Sequence, residues 1–337
     1  MKHEIDLSKY SVRTDLAIES IENRINKVGI RISTKNYNDI LVTNAIVSRK
    51  GSKALGKKPG KYITIEFSDI TDETNRKNVT NVLIKELKKI IRIKNKEDHI
   101  LIIGLGNDKS TPDSLGPLTV DQITVTNHLY EMNLVDRTYQ RVSAFNTSVM
   151  GKTGIETSDL IQKVIELLRP TLVIVIDSLA SSSISRVNKT IQMTDTGIHP
   201  GSGIGNARKE ISKDVLGIPV VAIGVPTVVG AVTIVSDTIE FLTKHYVYAK
   251  KNSSNPKYKL ITNANYLKEE LNISESERKD LLGLVGTLTE EEIKLLIQDV
   301  LTPIGYDLMV TPKEIDFTIN ELGEVISNSL NKLLHDR

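Results

Sequence analysis

The feature that most constrains the fold is an alternation of short β-branched runs with segments of helical periodicity. Four runs are apolar and short enough to be strands, namely 62–67, 99–105, 171–177 and 218–225. Helical periodicity is found at 73–93, 114–131, 156–168 and 235–245. Such an alternation is typical of a mostly parallel or mixed sheet covered by helices on both faces, so we predict an α/β fold.

The character of the sequence changes near residue 250. A polar stretch, KKNSSNPKYK, begins there, and three further helical patterns follow at 263–272, 288–300 and 313–335. We therefore predict an α/β core at 16–250. We expect 251–337 to be a linker and a helical carboxy-terminal part that packs on the core.

Composition narrows the classes of partner and of chemistry. The chain has 44 basic and 42 acidic residues, a net charge of +2 and no long block of one sign, so nothing argues for direct binding of nucleic acid or a membrane. The absence of cysteine excludes disulfides, thiolate catalysis and cysteine-ligated zinc, and it fits a cytoplasmic location. The amino terminus is too polar for a signal peptide, and no apolar run reaches about 18 residues. These features predict a soluble intracellular protein.

The stretch LIIGLGNDKSTPDSLGP, at 101–117, begins like a phosphate-binding turn but does not complete one. A dinucleotide fingerprint needs a third small residue three positions after its second glycine, whereas Gly106 is followed there by Lys109. Asp113, at the predicted start of a helix, also carries negative charge into the space that a phosphate would occupy. We therefore predict no nucleotide site here and no cofactor for the protein.

Two aspartates follow predicted strands and could face each other. Asp113 lies in the loop after one strand, and Asp177 closes another in LVIVIDSLA. Ligands of open α/β sheets bind beyond the carboxyl ends of the strands, so the two carboxylates could share one crevice. Such a pair can share a proton and supply an acid and a base to activate water. The alternative is that Asp113 only caps a helix and Asp177 only ends a strand in a turn.

A glycine-rich stretch at 187–206, VNKTIQMTDTGIHPGSGIGN, is a possible further part of the site. Its glycines would let the backbone approach a ligand or a neighbouring chain closely. His199 could be a metal ligand or a proton carrier beside the two aspartates, and Asp195 lies in the same loop. A lone histidine in such a turn is more often a structural hydrogen-bonding residue.

Several blocks together resemble the germination proteases of spore-forming bacteria. The resemblance runs nearly end to end, through SVRTDLAIE, LGKKPGKYITIE, IIGLGNDKSTPDSLGP, DSLASSSISRVNKTIQMTDTGIHPGSGIGN, LGIPVVAIGVPTVV and LMVTPKEID. It implies an atypical acid protease that degrades small acid-soluble spore proteins in the spore core. It also implies a homotetramer made as a zymogen, with a core like that of nickel-hydrogenase maturation endopeptidases. The two essential aspartates of the family fall on Asp113 and Asp177.

The chain departs from the family pattern at two positions near the predicted site. Ser182 stands where the family commonly has an arginine, and Gly230 stands where it commonly has an acidic residue. An arginine beside a carboxylate would lower its pKa and help to bind an acidic substrate residue. Arg186 is a neighbouring basic residue that could take over this role.

The resemblance also points to a self-cleavage site in RTDLAIE, at 13–19. The family cuts its substrates after an acidic residue that precedes a large apolar one, in a context similar to TE(F/I/L)A.E, and here aspartate replaces that glutamate. We predict that residues 1–15 are a propeptide, removed by cleavage between Asp15 and Leu16. The alternative is a plain helix start capped by Thr14 or Asp15.

The sequence thus predicts an aspartate-dependent endopeptidase without a metal. Two other functions stay open. One is a metal-dependent hydrolase that uses the same aspartates with His199. The other is a non-catalytic module that binds a nucleotide or a peptide.

Overall fold

The computed structural model describes residues 14–22, 27–95, 97–135, 138–201, 208–254, 273–301 and 308–335. They belong to two compact units. The larger unit is Arg13–Val229 with Thr311–Arg337, and the other includes Gly230–Val310. The predicted division at 250 and 251 stays a prediction. So does the propeptide at 1–15, of which 1–13 lie outside the described residues.

The larger unit is built on a mixed sheet, which confirms the predicted fold class. Its strands are β1 (Ile30–Tyr37), β2 (Ile40–Val47), β3 (Gly60–Glu66), β4 (His99–Gly104), β5 (Arg141–Asn146), β6 (Leu172–Ser181), β7 (Thr190–Thr194) and β8 (Val220–Gly230). They lie in the order β1-β2-β3-β7-β8-β6-β4-β5. The pairs from β8 through β6 and β4 to β5 are parallel, and the other neighbours are antiparallel.

Alternate residues of the central strands pack into two separate hydrophobic cores, one on each face of the sheet. On β6, Ile174 and Ile176 pack into one core, whereas Val173 and Val175 pack into the other. The first core is covered by α3 (Glu73–Ile90) and α12 (Ile315–His335), and the second by α7 (Thr157–Leu168). Strands that are buried on both faces contain almost only apolar residues, so the central strands could be predicted from their apolar runs in the sequence.

Local sequence explains the long helix α3. Its N-cap, Asp72, accepts a hydrogen bond from the backbone N–H of Asn75 at 2.7 Å. Val79, Leu83 and Leu87 recur every four residues and are fully buried, so one stripe of the helix faces the core. The shorter helices of this unit are α1 (Ala17–Glu22), α2 (Arg49–Leu55), α4 (Leu115–Val120), α5 (Asn127–Glu131), α6 (Met150–Thr153) and α8 (Lys213–Leu216).

The other unit is mainly helical in its described part. It contains α9 (Ala231–Asn252), α10 (Glu275–Leu282), α11 (Glu290–Leu301) and the short strand β9 (Met309–Val310). Ser274 and Glu277 form a reciprocal capping box at the start of α10. The helices predicted at 288–300 and 313–335 are confirmed as α11 and α12, while the one predicted at 263–272 lies outside the described residues.

The single helix predicted at 114–131 is wrong, because the chain leaves the helix after α4 and returns only at α5. The intervening residues include the β-branched run Ile123, Thr124, Val125 and Thr126, which disfavours a helix. Thr126 is also tied to β5: its N–H donates to Val142 at 3.0 Å and its hydroxyl donates to Gln140 at 2.6 Å. Within the described residues, no helix has the length and apolar character needed to cross a membrane.

Candidate active site

A tight loop after β4 positions Asp113. The backbone N–H of Asn107 donates to the main-chain oxygen of Asp113 at 2.9 Å, and Asp113 donates its own N–H to Ser110 at 2.8 Å. Gly106 has a φ of 106°, and a Cβ there would lie 2.1 Å from that Asp113 oxygen, so the loop closes only around glycine. Asp113 ends a single 3₁₀ turn, Thr111–Asp113, and precedes α4 instead of opening it.

The same loop is tied to the neighbouring strand β8. The hydroxyl of Thr227 donates to the main-chain oxygen of Pro112 at 2.6 Å. The main-chain oxygen of Thr227 in turn accepts a hydrogen bond from the hydroxyl of Thr311 at 2.8 Å. Asp113 is therefore fixed by two sets of contacts: its main-chain oxygen is bonded to Asn107 within the loop, and the preceding residue, Pro112, is bonded to β8.

Asp177 lies inside β6, which corrects the prediction that it closes the strand. β6 continues through Ser181 because its pairing with β8 continues as far as Val229. β4 ends earlier, opposite Ile176, so Asp177 is the first β6 residue beyond the end of β4. Asp177 is only 6% exposed, and its Oδ1 accepts a hydrogen bond from the N–H of Ser178 at 2.9 Å.

Asp113 and Asp177 both have raised pKa values, and the charge of Asp113 acts on Asp177. Burial raises the pKa of Asp113 to about 6, against the opposing effects of the Asn107 N–H and the positive charge of Arg208. Burial also raises the pKa of Asp177 well above its usual value, and the charges of Asp113 and Asp15 add to this rise. Carboxyl groups with such pKa values can hold a proton near neutral pH, so one can donate a proton while the other accepts one.

The predicted cleavage site lies on the face of the sheet that carries Asp177. Leu16 and Ile18 pack against Leu179, which is two residues beyond Asp177 and therefore on the same face of β6. Leu16 is fully buried. The predicted scissile bond is thus on the side of the sheet that carries Asp177.

Asp15 is bonded directly to β6. Its N–H donates to the main-chain oxygen of Ala180 at 3.0 Å, and its Oδ2 accepts from the N–H of Ala180 at 2.8 Å. Its charge is one of those that raise the pKa of Asp177. The side chain before the predicted scissile bond is therefore within electrostatic reach of Asp177.

Glu19, four residues after the predicted scissile bond, has a buried binding site of its own. Its carboxylate accepts hydrogen bonds from the Ser181 hydroxyl at 2.6 Å and from the N–H and hydroxyl of Ser182 at 2.7 Å each. The hydroxyl of Thr14 also donates to it. Glu19 is only 2% exposed, so these donors replace the water that a carboxylate would otherwise bind.

Arg186 lies beside the Glu19 site but pairs mainly with other acids. It contacts Glu22 at 2.8 Å and Glu66 at 2.9 Å, whereas its distance to Glu19 is 3.7 Å. Burial opposes the charged form of Arg186, but hydrogen bonds to Glu22 and Glu66 raise its pKa above the usual value. Ser182, at the position where the family commonly has an arginine, binds Glu19 directly.

The other two residues of the predicted site loop make separate contacts. Asp195 Oδ1 accepts a hydrogen bond from the N–H of Lys61 at 2.7 Å. His199 is about half exposed, and its Nε2 lies 3.7 Å from Glu210. Of the described residues, no three His, Asp or Glu side chains are grouped as a metal ion would require.

Three residues near the acids were not picked out from the sequence. Lys57 and Gln192 contact the main chain around Asp15, and Arg208 lowers the pKa of both Asp113 and Asp177. Lys57 stands in LGKKPG, a block that contributed only to the family resemblance. No local pattern marks Gln192 or Arg208, because their closeness to the site arises from strand pairing and chain folding.

The family model and three similar curated proteins carry the same description. The family model described as germination protease matches residues 10–337. A germination protease of Geobacillus sp. (strain WCH70) is 44% identical, over 100% of this chain and 97% of its own length. Germination proteases of Bacillus cereus (strain B4264) and Bacillus anthracis are 45% and 44% identical, each over 99% of this chain and 96% of its own length.

Among solved structures, the [NiFe] hydrogenase maturation protease HycI from Thermococcus kodakarensis KOD1 shows a weak likeness. It is 20% identical, with a TM-score of 0.28, over 43% of this chain and 80% of its own. The likeness is too weak to support an argument about the site.

Proposed function

Because the chain belongs to the germination protease family, we propose that it is an endopeptidase in which Asp113 and Asp177 together activate a water molecule. Family membership supports the protease activity and the role in spore germination. The observation that carries the aspartate assignment is the pair of raised pKa values, since Asp177 is buried, Asp113 is partly buried, and the charge of Asp113 adds to the rise at Asp177.

In this mechanism one aspartate is ionised and the other is protonated. The ionised carboxylate removes a proton from water as the water oxygen attacks the peptide carbonyl carbon. The protonated acid gives its proton to the leaving nitrogen, and the peptide bond breaks. The two groups exchange roles at the end of each turnover, so both must be able to hold a proton.

We also propose that the chain is a zymogen that cuts itself between Asp15 and Leu16. Support comes from the docking of this segment on the Asp177 face, where Leu16 is fully buried and Glu19 is bound by Ser181 and Ser182. A segment held there prevents another peptide from occupying the same surface. Acidification favours the cut, because protonation of Asp113 and Asp177 lowers their repulsion with each other and with Asp15.

The substrates, assembly and location follow the same family membership. We propose small acid-soluble spore proteins as substrates, a homotetramer as the assembly and the core of the forespore and spore as the location. These features rest on the family and on the resemblance of RTDLAIE to the substrate context, and not on any contact within the chain.

The decisive experiment is incubation of the purified chain at mildly acidic pH, followed by intact mass and amino-terminal sequencing. Wild type is expected to begin at Leu16 after treatment. Asp113→Asn and Asp177→Asn should keep Met1 and remain folded, because an amide can neither accept nor release the proton. Circular dichroism and size-exclusion chromatography check the fold and the assembly.

Other outcomes would change the assignment. A new terminus elsewhere contradicts the cleavage site, and identical processing of wild type and Asp113→Asn contradicts the role of the aspartate. A chain that cleaves neither itself nor a small acid-soluble spore protein would favour the non-catalytic binding module.

A further inference from the structure

We propose that Lys57 and Gln192 form an oxyanion-binding site, which stabilises the negative charge that develops on the carbonyl oxygen of the scissile peptide bond. The inference rests on the proposed function, because it takes the bond between Asp15 and Leu16 as the one that is cut. It assigns catalytic roles to two residues that lie far apart in the sequence.

Both side chains donate to the carbonyl oxygen that would become the oxyanion. Lys57 Nζ lies 3.3 Å from the Asp15 main-chain oxygen, and Gln192 Nε2 lies 3.2 Å from the same atom. Lys57 Nζ also reaches the Thr14 main-chain oxygen at 2.9 Å. Two donors converging on one carbonyl oxygen is the arrangement that stabilises tetrahedral intermediates in acyl transfer, and such bonds shorten as the charge develops.

Gln192 holds the main chain on both sides of Leu16. Its Oε1 accepts a hydrogen bond from the N–H of Ala17 at 2.6 Å, while its Nε2 donates to Asp15. The two contacts fix the orientation of the amide group, since an N–H requires an acceptor and a carbonyl requires a donor. The side-chain amide of Gln192 therefore holds the peptide bond between Asp15 and Leu16 in place through hydrogen bonds to main-chain atoms only.

Strand register places Gln192 and Asp177 in one row on the same face of the sheet. Gln192 on β7 pairs with Gly224 on β8, and Gly224 pairs with Asp177 on β6. With strands about 4.8 Å apart, the two outer residues stand about 10 Å from each other. Gly224 has no side chain, and the space above it is filled by Leu179, which packs on Leu16. Leu16, which follows the predicted scissile bond, is therefore packed against the residue that fills the space between Gln192 and Asp177.

The surroundings of Lys57 suit this role. It is half-buried, and burial lowers its pKa, while the charges of Asp15 and Glu19 act in the opposite direction. A cation with few waters around it interacts more strongly with a developing negative charge than an exposed one does. In mildly acidic solution the Lys57 amine carries its proton and can donate.

The donors fit the proposed reaction without any further reactant. The water oxygen forms a bond to the Asp15 carbonyl carbon as one aspartate takes a water proton, and the carbonyl π electrons move to the oxygen held by Lys57 and Gln192. When the carbonyl re-forms, the bond to the Leu16 nitrogen breaks, and this nitrogen takes a proton from the other aspartate. The products are a carboxylic acid at Asp15 and an amine at Leu16, and transfer of the acid's proton to the amine leaves a carboxylate and an ammonium group.

The test compares self-cleavage of four full-length chains under the same acid treatment. Lys57→Met keeps the length of the side chain but removes the donor, and Lys57→Arg keeps a cationic donor. Lys58→Met is the matched control, because Lys58 pairs with Glu210 and Asp214 and makes none of the contacts to the Asp15 carbonyl. Loss of one such donor typically slows catalysis about 100- to 1,000-fold. We expect a loss of that size in Lys57→Met, partial recovery in Lys57→Arg and the wild-type rate in Lys58→Met.

Hydrogen exchange of the segment 14–22 separates catalysis from simple anchoring. If Lys57 acts on the transition state, Lys57→Met cleaves slowly while the amides of Leu16 and Ala17 stay as protected as in wild type. A slow variant whose segment has also lost protection overturns the proposal, since Lys57 would then only anchor the segment. A Lys57→Met chain that cleaves at the wild-type rate overturns it as well.

Gln192→Leu provides a second, independent variant. It removes the amide donor with little change in volume, and we expect about a 100-fold slower cut. A Gln192→Leu chain that cleaves at the wild-type rate removes Gln192 from the proposal. Failure of the proposed function gives a different pattern, because wild type itself would then not be cut after Asp15, or Asp113→Asn would be cut equally fast.

Discussion

Asp113 and Ser182 show how single side chains set the properties of this site. Burial raises the pKa of Asp113 to about 6, so the folded protein binds a proton that the unfolded chain releases near pH 4. The contribution of Asp113 to the free energy of unfolding therefore falls as pH rises from about 4 to 6, and this loss of stability persists at higher pH. The ionised carboxyl group of Asp113 therefore lowers the stability of the folded protein.

The first prediction follows from this pH dependence of the contribution of Asp113 to stability. Asp113→Asn should be more stable than wild type at pH 7, by on the order of 2 kcal/mol, and the difference should vanish near pH 4. Urea unfolding at both pH values measures it. Asp108→Asn is the control, because a hydrogen bond from Lys152 lowers the pKa of that exposed carboxyl group, and no gain at pH 7 is expected there. An Asp113→Asn chain with the same advantage at pH 4 and pH 7 would contradict the raised pKa.

Ser182 gives the second prediction. Its hydroxyl donates to the buried Glu19 carboxylate at 2.7 Å, and a hydrogen bond to a charged group contributes roughly 1.5–3 kcal/mol. Ser182→Ala should therefore speed hydrogen exchange of the Leu16 and Ala17 amides about tenfold or more. Ser183→Ala is the control, because that hydroxyl bonds to Ser185 and not to Glu19. Equal exchange in all three chains would mean that Ser182 does not hold the segment.

At the scale of elements, the loop between β4 and α4 gives a third prediction. In Gly106→Ala the new Cβ would clash with the Asp113 main-chain oxygen, so the loop must open and the carboxyl group must move. Gly154→Ala is the control, because Gly154 also has a positive φ, of 71°, but no atom lies within 4 Å of the position that its Cβ would take. We expect Gly154→Ala to lose about 1–2 kcal/mol of stability and keep self-cleavage.

Gly106→Ala is expected to lose more stability than Gly154→Ala and to lose self-cleavage as well. Urea midpoints and rates of conversion to the Leu16 terminus measure the two effects. If Gly106→Ala cleaves as fast as Gly154→Ala, the loop does not position Asp113 for catalysis.

Burial explains which elements could be predicted from the sequence. β4, β6 and β8 are buried on both faces, and together with β3 they stand out as continuous apolar runs. β1 is largely exposed and mixes polar with apolar residues, and β7 has only five residues, so neither has a clear period. β2 and β5 were missed as well. Helix α3 was predicted because its buried positions recur every four residues.

On the scale of the whole molecule, the candidate site could be predicted only in part. Asp113 could be predicted because it lies in the loop after the strongly apolar strand β4, and Asp177 because it interrupts the apolar run of β6. Lys57 and Gln192 were not, since they meet only when β3, β7, β8 and β6 pair in that order. A residue whose role depends on pairing between distant strands leaves no periodic signal of its own in the sequence.

The fourth prediction concerns the whole protein and metals. Prolonged treatment with a strong chelator, followed by removal of the chelator, should leave self-cleavage and cleavage of spore proteins unchanged, because the proposed mechanism uses only carboxyl groups and water. Activity lost on treatment and restored by a divalent ion would support the metal-dependent alternative. In that case His199→Ala should lower the affinity for the restoring ion, whereas His128→Ala, on α5, should not.

The carboxylate of Asp15 beside β6 helps to make the proposed cleavage irreversible. Before cleavage this segment carries one negative charge near Asp177. Hydrolysis adds a second on the new carboxyl terminus, so the departing fragment is repelled by the groups that released it, and the amine of Leu16 becomes an ammonium that cannot attack a carboxylate in return. The proposed self-cleavage is therefore irreversible: a brief drop in pH is enough to cut the chain, and a return to neutral pH does not rejoin it.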